Sequence, residues 1–308
     1  MNNLAFPSSG CVGGGSPRSS ASVPVMDSAE TEWPPISAGE IATGLTRGEF
    51  WLAFQPILDV RTGGIAGAEA LLRWNHPRFG HLLPGSFLSK VGPDDVQIKR
   101  RIADFVVEAL CAQAGVYQRS NVKASSQAYV SFNVEPTLLL DADFSEGLKR
   151  QCMCHGVDPS RLVVEILETE YASHVLSLDD ALQPLREMGV RLALDDFGAG
   201  YCSLARIASL GVDKVKVSRE LMRNLSLGTR GHTVLTVLLE LLRKLDVDIV
   251  VEGVETVTEA RWLRRNRVSE MQGFYFSRPL PDLVSALTET PEIRSRLARA
   301  GIAPDEVA

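Results

Sequence analysis

The chain has 308 residues, 45% hydrophobic and 23% charged, with a formal net charge of −6 and a pI near 5.5. That composition is ordinary for a globular protein with a sizeable core, and its acidic balance excludes a whole-protein electrostatic case for binding nucleic acid or an anionic membrane. A phosphate-bearing ligand stays compatible with it, because metal ions or a few local Lys and Arg side chains can reverse the field inside one cleft.

Residues 1–35 are rich in Gly, Ser and Pro, as in Gly13-Gly14-Gly15 and Pro34-Pro35. Such a segment buries too little apolar surface to offset its ordering entropy, so a disordered leader is expected there. Met1-Asn2-Asn3-Leu4 has no basic stretch followed by an apolar one, and no apolar run approaches the ~20 residues that span a bilayer. Cys11, Cys111, Cys152, Cys154 and Cys202 are scattered and odd in number, which suits reduced thiols rather than a disulfide framework or a zinc site. A cytoplasmic protein without membrane association is the expectation.

From Ile36 the pattern becomes regular. Ala38 to Thr46 reads as a short helix, Leu52 to Leu58 as a strand, Thr62-Gly63-Gly64 as a turn and Ile65 to Arg73 as a second strand. Strands joined this tightly must be antiparallel, since a parallel crossover needs a dozen or more residues. Asp94 to Ala114 has helical apolar spacing. Tyr129 to Phe132 is a strand and Phe144 to His155 a helix; Leu162 to Ile166 is a strand and Ser177 to Met188 a helix closed by Gly189. Val190 to Leu194 is a strand ending in Asp195-Asp196, and a short helix precedes the strand Lys214 to Val217. Thr233 to Leu245 is a helix, Asp248 to Val251 a strand, Val257 to Arg265 a helix and Met271 to Phe276 the last strand, with a short helix at Arg294 to Ala300. Repeated strand–helix units with β-branched strands predict an α/β fold with a buried, mostly parallel sheet. Seven or eight such units with no Gly-rich phosphate loop favour a closed (β/α)8 TIM-like barrel, its first strand antiparallel.

The chemistry lies in what ends each strand. Glu69, Asn133, Glu165, Asp195-Asp196, Lys216, Glu252 and Gln272 each stand at or just past a strand. In a barrel those ends converge on one face, where five desolvated carboxylates would repel one another and require a cation among them. Carboxylates plus an Asn amide oxygen suit Mg²⁺ or Mn²⁺ rather than Zn²⁺. Adjacent aspartates allow one to bridge two ions about 3.5–4 Å apart, an arrangement suited to phosphoryl displacement. Lys216 could balance phosphate charge there. Metal-assisted phosphodiester hydrolysis is the chemistry that such residues suit, and they name no substrate.

Gly67-Ala68-Glu69-Ala70-Leu71-Leu72-Arg73-Trp74 with His76-Pro77, and Phe54-Gln55-Pro56-Ile57 before it, resemble the opening blocks of the EAL family. Glu165-Ile166-Leu167-Glu168 resembles its ExTE element, and Asp195 to Tyr201 its DDFGxGY loop. Glu252-Gly253-Val254-Glu255 and Gln272 to Pro279 resemble its closing blocks, so the likeness runs from about Phe50 to Leu280. It implies a barrel domain over 36–290, with 291–308 a C-terminal tail. It further implies a phosphodiesterase that opens cyclic di-GMP to linear pGpG in bacterial second-messenger signalling, with two Mg²⁺ or Mn²⁺ ions as cofactors. Glu69, Asn133, Glu165 and Asp195 would hold one ion, and Asp195, Asp196 and Glu252 the other. A hydroxide steadied by Lys216 would attack a phosphate, with Gln55 and Arg73 on the substrate. Glu168 and Glu255 would order the Asp195–Tyr201 loop and the ligands, and Gln272 would orient ligands or water. Family members also form homodimers near that loop; neither direct nucleic-acid binding nor a membrane is implied.

Lys216-Val217-Ser218 departs from the family's Lys-Ile-Asp, Leu167 replaces the Thr of ExTE, and Glu135 a common Ser. These changes leave every expected metal ligand in place and alter their surroundings, which supports an alternative: a degenerate EAL regulator that binds cyclic di-GMP or a protein partner and controls gene expression without turnover. The stretch Arg261 to Arg267 reads as a solvated basic helix end, and His76 and His81 lack a ligand pair.

Overall fold

In the computed structural model, which describes residues 36–92, 94–120, 128–169, 175, 179–198, 211–223 and 230–302, the chain enters through α1 (Ala38–Thr46). Ser37 and Glu40 close a capping box there, each side chain bonding the other's backbone N–H. The strand β1 (Phe50–Asp59) then pairs antiparallel with β2 (Ile65–His76), with Phe50 opposite Trp74 and Gln55 opposite Glu69. Gly63 takes the turn at φ 68°, which the expected Thr62-Gly63-Gly64 signal anticipates. A three-residue β3 (Gly80–Leu82) folds back on β2 and leads into α2 (Pro84–Phe87), two elements that the sequence reading lacked.

Further along come α3 (Val96–Arg119), β4 (Tyr129–Asn133), α4 (Ala142–His155), β5 (Leu162–Leu167), α5 (Asp179–Glu187), β6 (Arg191–Phe197) and β7 (Lys214–Val217). After them lie α6 (Arg219–Arg223), α7 (Arg230–Lys244), β8 (Asp248–Val251), α8 (Val257–Arg265), β9 (Glu270–Met271), α9 (Leu283–Ala286) and α10 (Pro291–Ala300). Local chemistry sets several limits: Asp141 caps α4 at one end, and Gly156, in the left-handed region, stops it at the other. Strands β2, β4, β5, β6, β7, β8 and β9 run parallel in that order, and β1 closes the ring, antiparallel to both β2 and β9. The expected eight-stranded α/β barrel with a reversed first strand is therefore the fold.

Two-residue periodicity decides which side chains face the barrel axis. In β5, Leu162, Val164 and Ile166 join the main core outside the ring, while Val163 packs with Ile57, Tyr129, Ala193 and Val250 inside it. In β7, Val215 and Val217 face outward, so Lys214 and Lys216 both point inward at opposite ends of one strand. At the floor, Lys214 is paired with Glu270 at 2.8 Å and Asp248 at 3.0 Å, beside the Tyr129 ring. At the floor one ammonium meets two carboxylates; the other end gathers more.

The last strand is shorter than expected. The reading Met271 to Phe276 gives way to Glu270–Met271, because Phe276 and Ser277 N–H turn back to the Gly273 carbonyl at 3.0 and 3.1 Å. Gly273 lies so close to the Val254 backbone that a Cβ would overlap it, so the chain bends over β8's exit. The helix at the C-terminus starts at Pro291, buries Ile293, Leu297 and Ala300, and joins α8 through Arg261 Nε donating to Arg299 O at 2.9 Å. All described residues belong to one compact unit, Pro34–Ala308. The expected leader, the helix before Lys214 and the start of the helix from Ser177 lie outside the described residues, and no helix among those described is long and apolar enough to cross a membrane.

Candidate metal centre

Inward-facing residues one step above the apolar layer make the site. Ala68 and Ala70 of β2 join the outer core, so Glu69 points in, level with Ser131 of β4. Asn133 is level with Glu165 of β5, and Leu167 of β5 with Asp195 of β6. Glu252 continues β8, its N–H donating to Val217 O at 3.2 Å, and Gln272 follows β9 with its N–H on Val251 O at 2.9 Å.

Lys216 sits in the middle of this ring, almost fully buried. Its ammonium lies 2.7 Å from Glu252, 2.8 Å from Glu165, 3.0 Å from Asp195 and 3.4 Å from Glu69. Asn133 Nδ2 donates to Glu165 at 3.2 Å and Glu69 at 3.4 Å, and Gln272 Nε2 donates to Glu69 at 2.8 Å. Asp196 stands beside them at φ 56°, a left-handed conformation rare outside glycine, with the buried Ser218 side chain near enough to oppose the rise in its pKa. Together these are five carboxylates around one ammonium.

The excess charge shows in the titration of the groups. Burial disfavours the Lys216 ammonium, yet Asp195, Glu165, Glu252 and Glu69 outweigh it and hold the pKa well above the ordinary lysine value. Burial raises Glu165 well above the carboxylate range against the pull of Lys216, with Glu69 and Asp195 adding to the rise. Burial also pushes Glu252 up to about 8, Lys216 again opposing and Asp195 and Glu69 reinforcing, and burial followed by Asp195 raises Asp196. One lysine does not neutralise the cluster.

A divalent cation fits here. One oxygen each of Glu69, Glu165 and Asp195 lie within 4.8 Å of one another. The donors are oxygen only, as hard cations require. The buried Gln272 Oε1, on the amide whose Nε2 bonds Glu69, has no hydrogen-bond partner. Exchange of the two ends of the Asn133 amide would turn its oxygen toward the same space.

The remaining expected residues lie around this cluster in two groups. Glu168 is buried and accepts the Gly198 N–H at 2.8 Å, so it holds the start of the loop after Asp195-Asp196; residues 199–201 of that loop lie outside the described residues. Gln55 donates to Ser277 O at 3.2 Å, and Arg73, its pKa lowered by burial and raised in part by Glu69, donates to Leu72 O at 2.8 Å. Glu255 is not drawn into the carboxylate ring: it pairs with Arg219 in an open cleft that Gln55, Phe274, Glu69 and Glu252 also line. Arg219 and Phe274 were missed as site residues, whereas Ser218 was singled out as a departure beside Lys216. Arg219 directly follows Lys216-Val217-Ser218, a signal that could have flagged it, whereas the nearness of Ser218 to Asp196 needed the fold.

An α/β barrel whose strand ends carry an oxygen-only acidic cluster around a lysine could hold a metal ion there. The EAL domain profile matches residues 38–279, and the chain belongs to that family. It is 32% identical over 246 residues to cyclic di-GMP phosphodiesterase RocR of Pseudomonas aeruginosa, a match covering 80% of this chain and 61% of RocR. An uncharacterized Mycobacterium tuberculosis protein is 32% identical over 230 residues, covering 75% of this chain and 36% of the relative, so the chain spans about a third of that protein's length. Among solved structures, the PaMucR phosphodiesterase in complex with c-di-GMP has a TM-score of 0.70 and 28% identity, covering 79% of this chain and 96% of that one.

Proposed function

We propose that this protein hydrolyses cyclic di-GMP to linear pGpG with two divalent cations, Mg²⁺ or Mn²⁺. The ring of Glu69, Glu165, Asp195 and Glu252 around Lys216 carries the reading, because it concentrates more negative charge than one ammonium balances. Glu69, Asn133, Glu165 and Asp195 would hold one ion, and Asp195, Asp196 and Glu252 the second. Bound there, the ions would polarise the phosphoryl oxygens and lower the pKa of water. Lys216, kept protonated by its neighbours, fixes the spacing of the carboxylates and offers N–H groups toward charge developing on the phosphate. Glu69 is oriented by Gln272, and Glu168 anchors the loop that follows Asp195-Asp196. Gln55 and Arg73 stand on the strand pair beside the ring, where Arg73 supplies a charge for substrate phosphate. Purified protein incubated with cyclic di-GMP and Mg²⁺ or Mn²⁺ should release pGpG, followed by chromatography, and Glu69→Ala should abolish it. A folded wild-type protein without turnover would refute the assignment.

One observation favours a second reading, a binder without turnover. The buried Ser218 puts a neutral hydroxyl against Asp196 where the resemblance places an aspartate, so the anion expected near Lys216 is absent from that position. On this reading wild-type protein binds cyclic di-GMP with a negligible rate and Ser218→Asp restores turnover; a brisk wild-type rate eliminates it.

A further inference from the structure

On two helices, rather than at the strand ends that carry the proposed metal ligands, a pair of thiols comes into contact. Cys111 of α3 and Cys152 of α4 are both buried, and their sulfurs are 4.0 Å apart. The approach is built into the helix crossing: Gly115, one turn beyond Cys111, lies so near α4 that an added Cβ would sit 2.6 Å from the His155 carbonyl oxygen. Cys152 also lines an open groove formed with Lys149 and Met153 of α4, Val157 and Pro159 beyond it, and Pro184 of α5. Cys111 is enclosed on the other side of the contact.

We propose that Cys111 and Cys152 form a redox-modification site, closed reversibly to an intramolecular disulfide by a small peroxide entering through this groove. The two thiols have distinct roles. Cys152 lines the groove and Cys111 does not, which makes Cys152 the attacking group, and its contact with Cys111 holds its pKa below the ordinary thiol value. Its sulfur attacks one peroxide oxygen, the O–O bond breaks, and Cys152 becomes a sulfenic acid as the other oxygen leaves as hydroxide and takes up a proton to form water. The Cys111 sulfur then displaces the sulfenic oxygen, which leaves with the Cys111 proton as a second water as the S–S bond forms. Two thiols are oxidised by two electrons and one hydrogen peroxide is reduced to two waters. The bond would tie together the helices on either side of β4, the strand ending in Asn133, without involving any metal ligand.

The test uses full-length protein carrying Cys11→Ser, Cys154→Ser and Cys202→Ser, so that only this pair remains. Hydrogen peroxide added to the native protein should remove both thiols together and give a Cys111–Cys152 linked peptide lighter by two hydrogens. The chain should run as a monomer without reductant. Its melting temperature should rise by on the order of 10 °C for closure of the 41-residue span and return on adding dithiothreitol. In a second variant, Cys111→Ala added to the three changes, peroxide should leave Cys152 as a sulfenic acid trapped by dimedone. Should the triple variant fail to fold, peptide mapping of oxidised wild-type protein reads the same linkage. The proposal is overturned if both thiols survive peroxide that consumes the exposed Cys154 of the wild type, if they link only between chains, or if they react only after unfolding in urea.

Discussion

Replacing Lys216 by Met keeps the length of the side chain and removes the one ammonium in the ring. Four carboxylates lie 2.7–3.4 Å from that nitrogen and lose their shared partner at once. Breaking a buried ion pair from one side costs about 3–5 kcal/mol, and for a chain of this size each kcal/mol moves the midpoint by about 2–4 °C. The metal-free variant should therefore melt roughly 10 °C below wild type at pH 8. The deficit should shrink toward pH 5, because Glu165 and Glu252 already have raised pKa values and take up protons that relieve the repulsion. Adding Mg²⁺ should return part of the lost stability, since a divalent cation serves the same carboxylates. Scanning calorimetry in chelator and in Mg²⁺, at pH 5 and pH 8, measures all of these. A variant as stable as wild type at pH 8 in chelator would refute the electrostatic account, showing that the carboxylates do not depend on the ammonium.

Other expectations follow from the same geometry. Glu252 has its folded pKa raised from 4.5 to about 8, so its contribution to metal-free stability is fully present below about pH 4.5 and has been lost once pH passes about 8; the gain in melting temperature on adding Mg²⁺ should grow across that window, and a pH-independent gain contradicts this. Glu168→Gln weakens the grip on the Gly198 N–H and should reduce metal affinity or turnover about 10–100-fold, read by metal titration and steady-state rates, with little change in melting temperature. Gly273→Ala forces a methyl into the Val254 backbone and should cost about 1–3 kcal/mol, visible as a lower urea midpoint; unchanged stability would mean that the bend after β9 is not held by that contact.

Much of this arrangement was legible in the amino-acid order. Apolar periodicity placed β7 (Lys214–Val217), β8 (Asp248–Val251) and α8 (Val257–Arg265) at their observed limits, and the close β1–β2 spacing determined that the first strand is reversed. Alternation along buried strands also determined that Glu69, Glu165 and Asp195 share the inside of the ring, because a strand has only two faces and the apolar residues take the outer one. What the sequence left open is everything set by contacts between distant segments. Only the fold places Lys216 against four carboxylates from four other strand ends, pairs Glu255 with Arg219 rather than with that ring, sets Ser218 on Asp196, and ends the last strand at Met271 because Gly273 packs on Val254. Periodicity is a property of neighbours along one chain segment; partner choice among buried charges depends on distances that closing the barrel alone determines.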